Sequence, residues 1–103
     1  MTVVRFLARA QRQARVAAEW WRENRPYSPA LFLVELRQVV GRLREDARSV
    51  PVWKRLGGRD VRRCLLPRTR YHLYFEIREG GDAIVVLAVW GAARGRRPPL
   101  AHS

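Results

Sequence analysis

RTRYHLYFEIREGGDAIVVLAVWG, residues 68–91, decides the fold. Its first half alternates: Tyr71, Leu73, Phe75 and Ile77 take one side, and Arg70, His72, Tyr74, Glu76 and Arg78 the other. A period of two means an extended strand with one apolar face. Glu79-Gly80-Gly81-Asp82 is a glycine-bearing hairpin loop. Ala83 to Trp90 is almost entirely apolar, as expected of a strand covered on both faces. Two antiparallel strands, one alternating and one continuous, call for a partner layer on at least one side.

Upstream, VRRCLL (61–66) supplies another strand before the Pro67 turn. Residues 47–60, with Pro51 and Gly57-Gly58, read as irregular. Further back the period changes. Phe32, Leu36, Val39, Val40 and Leu43 form a helical stripe ending near Asp46, and Ser28-Pro29 reads as its N-cap and first residue. Ala10, Ala14, Ala17, Ala18 and Trp21 form a thinner stripe over residues 9–24, stopped by Asn24-Arg25-Pro26. VVRFL (3–7) opens the chain as a short strand. The order is therefore β-α-α-β-β-β. The class is α+β: a helical hairpin packed on one face of a mostly antiparallel sheet.

The chain has 103 residues, enough for one domain, with an apolar fraction of 48%. Residues 91–103 read as its basic, proline-stiffened C-terminal tail. The net charge is +12, with twenty arginines and one lysine, Lys54. That excess directs attention to an anionic partner: nucleic acid, a membrane surface or an acidic protein. Cys64 stands alone, so no disulfide framework exists and a reducing compartment fits. Neither a signal peptide nor an apolar run of the roughly 20 residues needed to span a bilayer is visible, so a cytoplasmic location is expected. Two histidines and one cysteine give no metal-ligand spacing, and no phosphate loop is present; no metal and no cofactor are expected.

Three surfaces stand out. Val16 and Trp20 lie off the first helical stripe, and Leu31 and Val34 off the second. These small patches serve either to pack on the neighbouring layer or to dock another protein. The sheet face away from the helices is expected to show Arg70, His72, Tyr74 and Arg78, with Arg62 or Arg63, as a cationic surface with aromatics among the charges. That composition suits phosphates, and equally suits a plain solvated face. After Trp90-Gly91 come Arg94, Arg96 and Arg97, just before Pro98-Pro99.

GRDVRRCLLPRTRYHLYFEI, the turn EGGD and AIVVLAVWGAARGRRPPL together resemble the RelE/ParE superfamily of bacterial type II toxins. VRFLARAQRQARVAAEWW and NRPYSPALFLVELRQVVGRL are similar to its first strand and helical hairpin. The resemblance covers essentially the whole chain. It implies a compact toxin neutralised by a cognate acidic antitoxin, ParD-like or similar, which itself binds operator DNA; the toxin would reach that DNA only through the antitoxin, and no membrane is involved. RelE-like members cut messenger RNA on the ribosome, using basic sheet residues and a tyrosine or histidine near the C-terminus. ParE-like members lack nuclease chemistry and are associated with inhibition of DNA gyrase. After Trp90 this chain has no tyrosine, and its one histidine is His102, next to the last residue. The ParE-like branch is therefore favoured: a non-enzymatic plasmid-stabilisation type of toxin with DNA gyrase as target. The resemblance then implies target contacts at Trp90, Arg94, Arg96 and Arg97, and antitoxin contacts at Val16, Trp20, Leu31, Val34, Arg70 and Tyr74. The alternative is a ribosome-dependent endoribonuclease, with Arg62, Arg70, His72 and Arg94 as its catalytic set. A non-enzymatic RNA-binding module is the third reading.

Overall fold

The structure, a computed structural model, describes residues 2–94, 98 and 100. Strand β1 (Val3–Phe6) leads into helix α1 (Ala8–Asn24) and helix α2 (Leu31–Asp46). Strands β2 (Val52–Leu56), β3 (Arg59–Leu66), β4 (Tyr71–Arg78) and β5 (Ala83–Gly91) follow. They form one sheet in the order β1-β5-β4-β3-β2. Only β1 runs parallel to its neighbour, pairing Val3 with Ala83 through Phe6 with Val86; every other pairing is antiparallel.

The α+β class and the helical stripes are as expected from the sequence. Ala10, Ala17 and Trp21 of α1 and Phe32, Leu36, Val39 and Leu43 of α2 are buried against Leu66, Leu73, Phe75, Ile84, Val86 and Val89 of the sheet. Alanine at the α1 positions lets the helix sit close to β5, because a short side chain adds little thickness to the layer.

Three local readings are corrected. Residues 47–60 are not irregular throughout, since β2 lies within them. Gly57 and Gly58, with φ of 57° and 77°, make the tight turn into β3 that favours hairpins. Lys54 and Arg55 on this edge strand obscured its alternation, and a register shift between Val52 and Lys54 broke it further. Ser28 and Pro29 do not start α2. The linker closes two successive turns, Ser28 N–H to Arg25 O and Leu31 N–H to Ser28 O, so the helical ladder opens only at Ala30. Arg70 is not part of β4. It sits in the β3–β4 turn with φ of 65°, its N–H bonded to Leu66 O at 2.9 Å.

A register shift at Tyr74/Phe75 lies opposite Ala88 and Val86, leaving Leu87 as the extra residue in β5. The consequence is geometric. Ile84, Val86 and Val89 face the helices, while Val85, Leu87, Ala88 and Trp90 face the other way. Without the bulge, strict alternation would send Trp90 into the helical layer.

The second face is the largest departure from expectation. It is not an open cationic surface. Val61, Tyr74, Val85, Leu87, Ala88 and Trp90 form a second apolar cluster, with Leu7, Trp53 and Leu56 at its margin. Tyr74 is only 2% exposed and its ring meets Trp53 edge-on at 4.9 Å. Leu100 closes this cluster from the tail, and Pro98 is fully buried. The sequence reading missed the lid because Trp53 comes from the unrecognised β2 and Leu100 from a segment read as a basic, proline-stiffened tail that meets an acidic partner.

Candidate partner-binding groove

A groove of about 860 Å³ runs between α1 and the far ends of β4 and β5. One wall is a stripe on α1: Arg9, Gln13, Val16 and Trp20 fall on successive turns. The facing wall is Val89, Trp90 and Gly91 of β5 with Thr69, Arg70 and Tyr71 of the β3–β4 turn. β1 stops pairing at Val86, so α1 side chains meet the backbone of β5 beyond it. Gln13 Oε1 accepts from Val89 N–H at 2.8 Å, and Arg9 Nε donates to Leu87 O at 3.2 Å. A second guanidinium nitrogen of Arg9, Nη2, is buried and bonded to nothing among the described residues. Burial, and then the nearby Arg12 charge, lowers the Arg9 pKa from its ordinary value.

The groove's apolar surface is exposed where it matters. Val16 is 62% and Trp20 43% exposed, far more than a packed side chain of either type. Arg25 stacks on both tryptophans of α1, 4.8 Å from the Trp20 ring and 5.5 Å from Trp21, which keeps a cation at the rim. Arg9, Arg12, Arg25 and Arg70 all line the groove, and no aspartate or glutamate does among its described residues.

The turn that forms the facing wall is held by one buried carboxylate. Glu35 of α2, 3% exposed, accepts from Arg68 N–H at 2.8 Å, Thr69 N–H at 2.9 Å and Thr69 Oγ1 at 2.8 Å. Burial opposes its ionisation, but these three donors and the Arg68 charge prevail and hold its pKa below the ordinary 4.5. Ala92 N–H bonds Arg70 O at 2.8 Å and ties the end of β5 to the same turn.

The structure brings four of the sequence-derived site residues, Val16, Trp20, Arg70 and Trp90, to this one groove. Others lie elsewhere. Leu31 packs against the main core, and Val34 is exposed on α2 outside the groove lining. Tyr74 cannot be a surface contact, because the second cluster buries it. The backbone of Arg94 closes a short turn after β5. Its side chain, and Arg96 and Arg97 entirely, lie outside the described residues.

Two members of the nuclease set, Arg62 and His72, lie on opposite faces of the sheet. Arg62 pairs across the sheet with Phe75 and so faces the helical side, where it donates to the carbonyls of Arg48 (3.2 Å) and Val50. His72 pairs with Leu65 and Trp90 on the opposite side, its ring 6.0 Å from Tyr74. Burial, then the Arg63 and Arg70 charges, lowers the His72 pKa. Glu76, the one carboxylate on its strand, is occupied by Arg78 and Arg59. Burial pushes the Cys64 thiol up to about 11, against a smaller opposing effect of Arg42, which disfavours the thiolate a nucleophile would need. Among the described residues there is no cluster able to hold a metal ion. No helix among them is long and apolar enough to cross a membrane.

Sequence reasoning missed Arg9, Arg12, Gln13, Arg25 and Glu35. A signal existed for Arg9 and Gln13, which extend the Val16/Trp20 patch by two helical turns. For Glu35 there was none, since a lone glutamate on an apolar helix face looks like any surface residue.

In comparisons with known proteins, the family model described as "ParE toxin of type II toxin-antitoxin system, parDE" matches residues 4–95. The comparison with curated proteins gives no match.

Proposed function

The chain belongs to the ParE toxin family of type II toxin–antitoxin systems, and on that premise we propose that it inhibits growth by binding DNA gyrase in the cytoplasm until an acidic antitoxin segment occupies the α1–β5 groove. The observation that carries the antitoxin half is the groove itself: exposed Val16 and Trp20 beside Trp21, ringed by arginines with no acidic lining residue. An amphipathic segment with carboxylates at its edges fits that surface in both polarity and charge. Operator DNA is then reached through the antitoxin. The toxin acts as an inhibitor by contact, with the end of β5 and the following arginines as its target-facing part. The separation of Arg62 from His72 across the sheet supports contact inhibition over messenger RNA cleavage.

Induction in a susceptible cell tests the target. A gyrase inhibitor triggers the DNA-damage response and filamentation while translation continues. Immediate translation arrest with cleaved transcripts would overturn the gyrase assignment and favour the nuclease branch.

The groove has its own test. Trp20→Ala removes a half-exposed anchor and its stacking on Arg25. It is expected to weaken binding of the acidic partner by roughly 30-fold, about 2 kcal/mol, as for a central aromatic hot spot. Isothermal titration with the cognate antitoxin would measure it. Leu33→Ala on α2, outside the groove lining, should change that affinity by less than about threefold; equal losses would move the interface elsewhere.

A further inference from the structure

At the end of the sheet away from the groove, β3 and β4 part. Their register runs from Leu66 opposite Tyr71 to Arg62 opposite Phe75 and stops there, although β3 begins at Arg59 and β4 continues to Arg78. Past that point β3 pairs with β2, and β4 with β5. A cleft of about 480 Å³ opens at this end, flanked by the Gly57-Gly58 turn and the Glu79–Gly81 turn.

Its charges are unequal. Five arginines line it against three acids. Two of the acids are already engaged: Asp60 with Arg55 at 3.1 Å, and Glu79 with Arg5 of β1 at 3.2 Å. The third, Glu76, has a side chain only 7% exposed and accepts from two guanidinium groups, Arg78 Nε at 2.8 Å and Arg59 at 3.4 Å. A carboxylate shared by two arginines has its charge already compensated, and it leaves part of each guanidinium fork unspent. Arg48 adds a further charge and makes no ion pair among the described residues. It lies so close to Gly81 that a Cβ there would come within 3.2 Å of its Nη2. Arg62 holds the Arg48 segment in place through the carbonyls of Arg48 and Val50.

Guanidinium forks facing an open polar cleft are suited to phosphate oxygens, which they meet bidentately. The lining offers one aliphatic side chain beyond the charged groups, Ile77, so an acidic peptide would find no set of apolar anchors here, in contrast to the α1 groove. We propose that this cleft binds a phosphate ester, its oxygens held by Arg48, Arg59 and Arg78 while Glu76 positions the last two. The ester has two possible sources, the backbone of a nucleic-acid strand and the polyphosphate of a free nucleotide. The site is separate from the antitoxin groove and does not depend on gyrase being the target.

The test uses the purified full chain and a short fluorescein-labelled single strand of DNA, followed by anisotropy over a salt series. Arg48→Gln/Arg59→Gln is expected to lose about tenfold or more in affinity and to lower the slope of log K against log salt by about 1.4, the value for two lost phosphate contacts on a single strand. Arg22→Gln/Arg44→Gln removes the same charge from exposed helix positions and should lose less than about threefold. Arg48→Gln alone breaks no ion pair, so it remains readable should the loss of Arg59 from Glu76 unfold the double variant; it is expected to lose roughly half the slope change. ATP or tripolyphosphate displacing the strand assigns the site to free nucleotide, and displacement by unlabelled strand alone assigns it to nucleic acid; either supports the proposal. Equal losses in the cleft and helix variants, no binding by the wild-type chain, or displacement by poly-glutamate as effective as by tripolyphosphate would overturn it.

Discussion

A chain cut after Gly95 is expected to melt about 15 °C below the full protein, a loss of about 3 kcal/mol in a domain of this size. Pro98 is fully buried and Leu100 is 7% exposed, closing the cluster of Tyr74, Leu87 and Trp90 on the second face of the sheet. Removing them uncovers part of that cluster, which Trp53, Leu7 and Leu56 continue to flank. Leu100→Ala alone should cost about 2 kcal/mol, near the lower end for a buried leucine, and lower Tm by about 10 °C. Differential scanning calorimetry reads both. The result matters for function, because loss of growth inhibition on truncation would otherwise be credited to the arginines. Replacing Arg94, Arg96 and Arg97 together by glutamine leaves Pro98 and Leu100 in place and should leave Tm within about 2 °C. If that variant inhibits growth and binds the antitoxin as the parent does, the tail guanidiniums have no part in either contact. If truncation leaves Tm unchanged, the second cluster is not closed by the tail.

Glu35→Ala is the other large effect. It strands two backbone N–H groups and a threonine hydroxyl that now converge on one carboxylate. Bonds to a charged acceptor contribute more than neutral ones, and unmet buried donors carry their full desolvation penalty; the loss is expected at about 3 kcal/mol. The damage is local to the β3–β4 turn, which is one wall of the groove. Antitoxin affinity should therefore fall even at temperatures where the variant is fully folded. Acidity gives a second readout. The folded pKa of Glu35 lies below its ordinary 4.5, so its contribution is fully present above that value and is lost as pH falls through the lower, folded one. In Glu35→Gln this part of the acid sensitivity disappears. Urea denaturation at neutral pH and at progressively lower pH would show the two proteins converging in acid. Parallel curves would mean that the carboxylate charge does not support the turn.

The elements with a strong period were legible in the sequence. The α1 and α2 stripes and the alternation of β4 translate directly into the observed helical layer, because spacing alone fixes which side chains share a face. Part of the groove was legible too: Val16 and Trp20 stood out as apolar residues on the wrong side of their helix. What escaped was everything decided by distant partners. Tyr74 alternates like a surface residue but is covered by Trp53 and Leu100, which come from separate parts of the chain. The facing of Trp90 depends on a bulge that no run of apolar residues could reveal. Glu35 acquires its role only where α2 passes the turn after Pro67. The arginines were visible as a count, but the carboxylates that occupy some of them and leave others unspent could be assigned only in three dimensions.

The parallel pairing of β1 with β5 ties Val3 to Ala83 and Phe6 to Val86. Strand β1 must therefore wait for β5 before the sheet can close, and contacts of such long sequence separation form late. A nascent or prematurely terminated chain lacks both the β5 side of the groove and the completed fold. With the antitoxin placed in that groove as proposed, an antidote can engage only after closure, so a fragment that stops short of β5 should escape capture.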